Sequence, residues 1–214
     1  MENFDLLIFD LDGTLLDTKE DLACAVNLCL KELGFPEKEP QVIFSYIGDG
    51  VRRLIGRSIG FETGPVFENA IAVFRKHYLE HLIDSTRFYP GVERVLKHYD
   101  QKLRAVVTNK PALYTSRIMD GLQIRDYFTL IVGSVPGTRL KPDPQMILEV
   151  IEDLDVLPEK TLMIGDGIND ILAARSAGAK SCAVGYGLTA PERLKEAIPD
   201  YYCDEIIQLM DIIR

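Results

Sequence analysis

The sequence is short of positive charge, sparing with cysteine, and without any long apolar run. Its 24 Lys and Arg stand against 33 Asp and Glu, a formal net charge of -9. Broad nucleic-acid binding depends on clustered positive charge that displaces counterions, so this balance argues against it, and an anionic ligand has to be caught locally. No stretch of about 18 apolar residues is present, and the N-terminus lacks a basic region followed by an apolar run and a cleavage site. The expectation is a soluble, cytoplasmic protein with no membrane partner. The four cysteines, Cys24, Cys29, Cys182 and Cys203, form no CxxC pair and lie among apolar residues. That suits reduced, buried thiols rather than a disulfide framework or a zinc site. Internal repeats and low-complexity tracts are absent as well. What is there, 214 residues at 47% hydrophobic and 27% charged, is globular in composition. A chain of this length buries enough surface for one domain, or for a core with one sizeable insertion.

Short apolar runs at Leu6 to Phe9, Leu103 to Val107, Leu130 to Val132, Leu162 to Ile164 and Cys182 to Val184 are each followed by a helical pattern. Continuous apolar strands imply burial on both faces, and the alternation predicts an α/β, doubly wound parallel sheet. Helices are expected at Pro144 to Leu154 and at Asn169 to Ala177, the latter ending at Gly178. The stretch between the first and second runs is too long for one crossover helix. Within it Thr18-Lys19-Glu20-Asp21 fits a capping box opening a helix to Leu33 that stops at Gly34. Gly48 to Ile59 and Pro65 to Ile83 continue the helical spacing. The expected organisation is a core of residues 1–17 and 86–214 with an all-helical insertion over 18–85.

Ligands of an open parallel sheet bind beyond the carboxyl ends of its strands. The first run ends in Asp10-Leu11-Asp12-Gly13-Thr14, the second in Thr108-Asn109-Lys110, and the fourth in Gly165-Asp166-Gly167-Ile168-Asn169-Asp170, while Lys141 stands before the helix after the third. Alternate residues of an extended chain point to one side, so Asp10 and Asp12 can face one site. With Asp166 and Asp170 they make four acids, and two like charges about 4 Å apart repel by roughly 4 kcal/mol at an effective dielectric of 20. A cation has to offset this. Oxygen ligands without Cys or His favour a hard ion, so Mg²⁺ is the expected cofactor. Thr108, Asn109, Lys141 and the backbone N–H groups of Gly13 and Thr14 form an anion cradle beside it. Acids with a magnesium ion next to an anion cradle suggest phosphoryl transfer.

These motifs, in this order and across the whole chain, resemble the haloacid dehalogenase-like hydrolases. Leu15-Leu16-Asp17-Thr18, Thr108-Asn109-Lys110 and Gly48-Asp49-Gly50 are similar to the phosphoglycolate phosphatase branch. The resemblance implies a Rossmann-like core with the helical insertion as a cap, and a phosphatase acting through an aspartyl-phosphate. Asp10 would be the nucleophile, and Asp12 the acid and then the base, its carbonyl also ligating Mg²⁺. Asp166 would complete the metal site, with Asp170 ligating through water or orienting its neighbours. Thr108 and Lys141 would bind phosphoryl oxygens, Lys141 also offsetting charge on Asp10. The implied partner is a small phosphorylated metabolite, 2-phosphoglycolate first, for a monomer or homodimer.

An acid at Asp12 separates this chain from dehalogenases resembling it, since halide leaves without a proton, and from phosphonate cleavage, which has no acid there. Two rivals stand. A phosphomutase would convert substrate without releasing phosphate. A phosphoacceptor receiver module shares the acids, Thr and Lys, but lacks the i, i+2 acid and a cap of this size. In the insertion, Arg52 and Arg53 follow Gly48-Asp49-Gly50 and are candidates for a substrate carboxylate, against a solvated helix face. His77 and His81 stand four apart without an evident third ligand, which favours an ordinary helix face over a metal pair. Asp170 could cap its helix. Gly185-Tyr186-Gly187 reads as a loop that could border the site. Lys110 reads equally as a substrate contact or a helix-start lysine.

Overall fold

The computed structural model describes residues 2–214. In chain order the elements are β1 (Leu6–Phe9), β2 (Leu16–Asp17), α1 (Lys19–Glu32), α2 (Pro40–Phe44), α3 (Val51–Ile59), α4 (Pro65–Glu80), β3 (Arg87–Phe88) and α5 (Val92–His98). They continue with β4 (Leu103–Pro111), α6 (Ala112–Gly121), β5 (Leu130–Ser134), α7 (Gln145–Asp153), β6 (Thr161–Gly165) and α8 (Ile168–Ala177). The chain ends with β7 (Lys180–Val184), α9 (Pro191–Glu196), β8 (Tyr201–Cys203) and α10 (Leu209–Ile212). Six strands form one parallel sheet in the order β5-β4-β1-β6-β7-β8. The chain starts at the middle of the sheet and winds outward both ways, the doubly wound α/β arrangement expected from the sequence.

Strand alternation sorts the core into two faces. Leu6, Ile8, Ala105, Val107 and Met163 pack with Ile147 and Val150 of α7 and Ala173 and Ala174 of α8. Leu7, Phe9, Val106, Leu162 and Ile164 pack on the other face with Val92, Val95 and Leu96 of α5 and Ile118 of α6. Because β1 and β6 are buried along their whole length, they have no solvent-facing side and read as apolar runs.

Helices α1 to α4 fill the stretch between β2 and β3, and those two short strands pair antiparallel at its base, Leu16 with Phe88 and Asp17 with Arg87. Their apolar stripe, with Leu22, Val26, Phe67 and Phe74, is continuous with the second core face. The capping box expected at Thr18 does not form, because both side chains serve longer-range partners. Thr18 Oγ1 donates to Asp12 Oδ1 at 2.7 Å. The buried Asp21 carboxylate instead accepts from Ser85 N, Thr86 N and Thr86 Oγ1 at 2.7 to 3.1 Å, tying the start of α1 to the chain's return into β3. Helix α8 does end at Gly178, left-handed at φ 75° as the missing Cβ allows. Cys29, Cys182 and Cys203 are free and buried, but Cys24 is exposed, since α1 turns residues 22, 23, 25 and 26 inward and 24 out. Among the described residues no helix is long and apolar enough to cross a membrane.

Candidate active site

The sheet order places β4, β1 and β6 side by side, so Asp10, Thr108 and Asp166 leave neighbouring strands at their carboxyl ends. Lys141, on the loop between β5 and α7, reaches in beneath them. Its Nζ lies 3.0 Å from Asp10 Oδ1 and 2.5 Å from Asp170 Oδ1, and donates to Val107 O at 2.7 Å. Its backbone is held as firmly: Asn109 accepts from Lys141 N at 2.8 Å and donates to Lys141 O at 3.0 Å. Asp170 also accepts from Gly167 N at 2.9 Å, so it caps α8 and pairs with Lys141 at once.

Asp166 is fixed from both sides. Thr14 Oγ1 donates to its Oδ1 at 2.8 Å, Leu188 N donates to its Oδ2 at 2.7 Å, and Asp166 N returns a bond to Thr14 Oγ1 at 2.9 Å. Glycines make room for it: a Cβ on Gly13 would lie 2.2 Å from Asp166 Oδ2 and one on Gly187 2.3 Å from Asp166 Cβ. Gly13 also holds φ at +86°, which other residues rarely adopt. The loop at Gly185-Tyr186-Gly187 therefore does border the site, and Tyr186 O–H donates to Thr14 O at 2.8 Å.

Asp10, Asp166 and Asp170 each offer an oxygen within 4.8 Å of the others. At that spacing each ionised pair repels by about 3 kcal/mol at an effective dielectric of 20. Burial first, and then the charges of Asp10 and Asp170, push the Asp166 carboxyl up to about 8. Burial likewise raises Asp170 to about 6, against the pull of Lys141. Burial alone would lower the Lys141 ammonium, but Asp10 and Asp170 outweigh it and raise it. One buried oxygen, Asp10 Oδ1, accepts no aligned hydrogen bond, even though Lys141 stands within ion-pair distance. Counting Asp12 and its partner Lys110, four carboxylates face two ammonium groups, an excess that a divalent cation would cancel. A hard cation fits these oxygen donors.

A stability measurement follows from these shifts. Both acids titrate above the ordinary 3.8 in the folded protein. Without a cation, the folded state keeps protons that the unfolded chain has released, so stability falls as pH rises from about 4 to about 8. Added Mg²⁺ is expected to raise the melting temperature in a calorimetric scan, more at pH 8 than at pH 5, and EDTA to reverse it. An equal shift at both pH values, or none, would contradict cation binding by these acids.

The second carboxylate of the first motif belongs to a different cluster. Asp12 accepts from Lys110 Nζ at 2.9 and 3.0 Å and from Thr18. Lys110 also donates to Tyr78 O–H at 2.5 Å and lies 4.7 Å from its ring centroid. Tyr78 comes from α4, so the helical insertion reaches the Asp12 side chain through one lysine. Loop 48–50 closes the opposite side. Asn109 donates to Gly48 O at 3.1 Å, and Asn169 donates to Asp49 Oδ1 at 2.9 Å while Arg57 pairs with Asp49 at 2.6 Å.

Several expected contacts lie elsewhere. The N–H groups of Gly13 and Thr14 are not free for an anion: Gly13 N donates to Leu16 O and Thr14 N to Leu11 O, because the 11–16 turn closes on itself. Arg52 and Arg53 point outward and pair with Glu68 and Glu62 on the surface. Val51 and Leu54 of α3 face the site, and at 3.6 residues per turn the two positions between them fall on the outer side. His77 and His81 bond Glu32 and Asp84 separately. Tyr78 escaped the sequence reading since its spacing on α4 matches any core aromatic. For Thr18, the cue lay only in its position six residues after Asp12.

Comparison with known proteins gives the family of the chain. The family model for haloacid dehalogenase-like hydrolases matches residues 7–184. A phosphoglycolate phosphatase from Chromobacterium violaceum is 35% identical, covering 100% of this chain and 98% of that protein. One from Aquifex aeolicus is 37% identical over 96% of each. A crystal structure of a predicted phosphoglycolate phosphatase from Haemophilus somnus superposes with a TM-score of 0.91 at 29% identity, covering 99% of both chains. The chain belongs to the haloacid dehalogenase-like hydrolases. Within that family it is a phosphatase, a phosphoric monoester hydrolase similar to phosphoglycolate phosphatases.

Proposed function

We propose that the protein hydrolyses 2-phosphoglycolate with Mg²⁺ through a phosphorylated Asp10, helices α1 to α4 acting as the cap over the site. Asp10 supplies the attacking carboxylate oxygen. Asp12 gives a proton to the leaving alkoxide and then takes one from the water that cleaves the acyl phosphate, returning Asp10 to a carboxylate and releasing inorganic phosphate. Thr108 and Lys141 hold the phosphoryl oxygens. Asp10, Asp166 and the carbonyl of Asp12, with Asp170 beside them, are the groups that would hold the ion, which when bound supplies positive charge to the phosphoryl oxygens. Free thiols fit a reducing, cytoplasmic setting.

The observation that carries this reading is the cluster of Asp10, Asp166 and Asp170 around the Lys141 ammonium, and the choice of substrate is supported by the likeness to phosphoglycolate phosphatases. Asp10, Asp12, Thr108 and Tyr78 line a cavity of about 40 Å³. Asp10 and Asp12 also line the adjoining outer cleft of about 680 Å³, together with Lys141, Asp166 and Asp170. Phosphate release from 2-phosphoglycolate is expected to exceed that from glucose 6-phosphate, nucleoside monophosphates and pyrophosphate in a colorimetric assay, and to stop with EDTA. A flat panel would remove the substrate assignment, and substrate isomerisation without phosphate release would indicate a mutase.

A further inference from the structure

We propose that Lys110 and Tyr78 together form the subsite for the substrate's carboxylate, making them the residues that select a short acidic leaving group. This rests on the phosphatase reading above and identifies which side chains give it specificity.

Charge is the first ground. Lys110 is the one cation among the described residues that line the small cavity beside Asp10 and Asp12. Lys141 lies outside that cavity, where it pairs with Asp10 and Asp170 and donates to Val107 O. Arg57 and Arg193 line the outer cleft of about 680 Å³, which shares Asp10, Asp12 and Asn109 with the small cavity but does not include Lys110. Arg52 and Arg53 are tied down on the outer face of α3. A carboxylate that entered the small cavity would therefore meet Lys110 or no cation at all.

Burial is the second. Lys110 is 5% exposed, among Leu22, Val51, Leu54 and Tyr114. A charge-assisted hydrogen bond is stronger away from water, and a leaving group with a neutral end gains nothing from it.

Donor count is the third. Tyr78 O–H accepts from Lys110 Nζ, and none of the hydrogen bonds among the described residues uses its own proton. Asp12 is held by Thr18 as well as by Lys110, whose Nζ spans both of its oxygens. A carboxylate drawn alongside can share the Lys110 ammonium and accept from Tyr78 O–H, so core and insertion each supply one donor. The fully buried Tyr78 ring is fixed by stacking on Phe74 at 5.4 Å and by the edge of Tyr114 at 5.0 Å, which keeps the phenol aimed without cost on binding.

The test pairs 2-phosphoglycolate with 2-hydroxyethyl phosphate, which puts CH₂OH where the carboxylate was. Wild type is expected to prefer 2-phosphoglycolate in kcat/KM. Lys110→Met lowers both rates through its contact with Asp12, but narrows the preference by about 10–100-fold, the worth of a hydrogen bond to a charged group. Tyr78→Phe removes one oxygen from a retained ring, so it should fold, and narrows the preference by roughly tenfold. In each variant the lost preference should appear as a raised KM for 2-phosphoglycolate. Equal losses on the two substrates would overturn the subsite and leave Lys110 as a support for Asp12. An active wild type with no preference would overturn the subsite while sparing the phosphatase reading. Release from neither substrate by wild type would overturn both.

Discussion

Replacing Asp10 with Asn is expected to lower phosphate release by about 10⁴–10⁶-fold, the scale on which an enzyme loses its nucleophile. The amide is nearly isosteric and keeps a polar oxygen, but it is a poor nucleophile and forms no acyl phosphate. Structure should survive the change. Lys141 retains its bond to Asp170, and Asp166 loses one of the two charges that raise it, so the metal-free variant should melt no lower than wild type near pH 8. Rate and stability thus move independently. The measurement is single-turnover phosphate release beside a thermal scan of the same sample. Wild-type protein quenched in acid should carry phosphate on Asp10, and Asp10→Asn should carry none. Activity within tenfold of wild type would exclude Asp10 as nucleophile, and a long-lived Asp10 phosphate without release would favour a receiver over a hydrolase.

The parts of this protein that could be read from sequence are those where one strand or one motif is sufficient in itself. The runs at Leu6, Leu103, Leu130 and Leu162 are apolar because both sheet faces are covered, and the acids follow them directly because strand ends point at the site. β8 went unread: Tyr201-Tyr202-Cys203 is a short edge strand, and its neighbours Pro199 and Asp200 look like a loop. The two-residue pair β2 and β3 has no pattern to detect. Within the site, Asp10, Thr108, Lys141, Asp166 and Asp170 are brought together as their motifs suggest. Residues that depend on a partner far away in sequence were not legible. Thr18 and Asp21 fit a local cap, yet bond Asp12 and the 85–86 backbone. Tyr78 looks like core and contacts Lys110. Asn109 was expected to meet substrate and is committed to Lys141 and Gly48. Arg52 and Arg53 had the right charge, but only the phase of α3 decides which way they point.

Lys141→Met should damage both chemistry and fold, and its pH dependence separates the two. The side chain is nearly inaccessible and its ammonium has three oxygen partners. Met preserves the apolar stem but leaves Val107 O without its donor and Asp10 and Asp170 without their counter-charge. Breaking a buried pair by removing one partner costs about 3–5 kcal/mol. That cost belongs to ionised carboxylates. Asp170 already titrates above the ordinary range, and without Lys141 it moves higher still. In the metal-free variant near pH 5, Asp166 and Asp170 take up protons and the penalty shrinks. Near pH 8 the unfolded chain gains by releasing those protons, so the stability lost relative to wild type is larger. Urea unfolding at the two pH values should show this widening gap, with phosphate release down by about 10³-fold or more from loss of electrostatic stabilisation. A stability loss independent of pH would mean that Lys141 is a packing residue and that the acids are balanced by other groups. Lys141→Arg is a sharper control, because a planar fork does not reproduce a compact ammonium set between Asp10, Asp170 and a backbone carbonyl. It should keep the positive charge, recover much of the stability, and still lose most of the rate, since the phosphoryl oxygens require that charge at one fixed point.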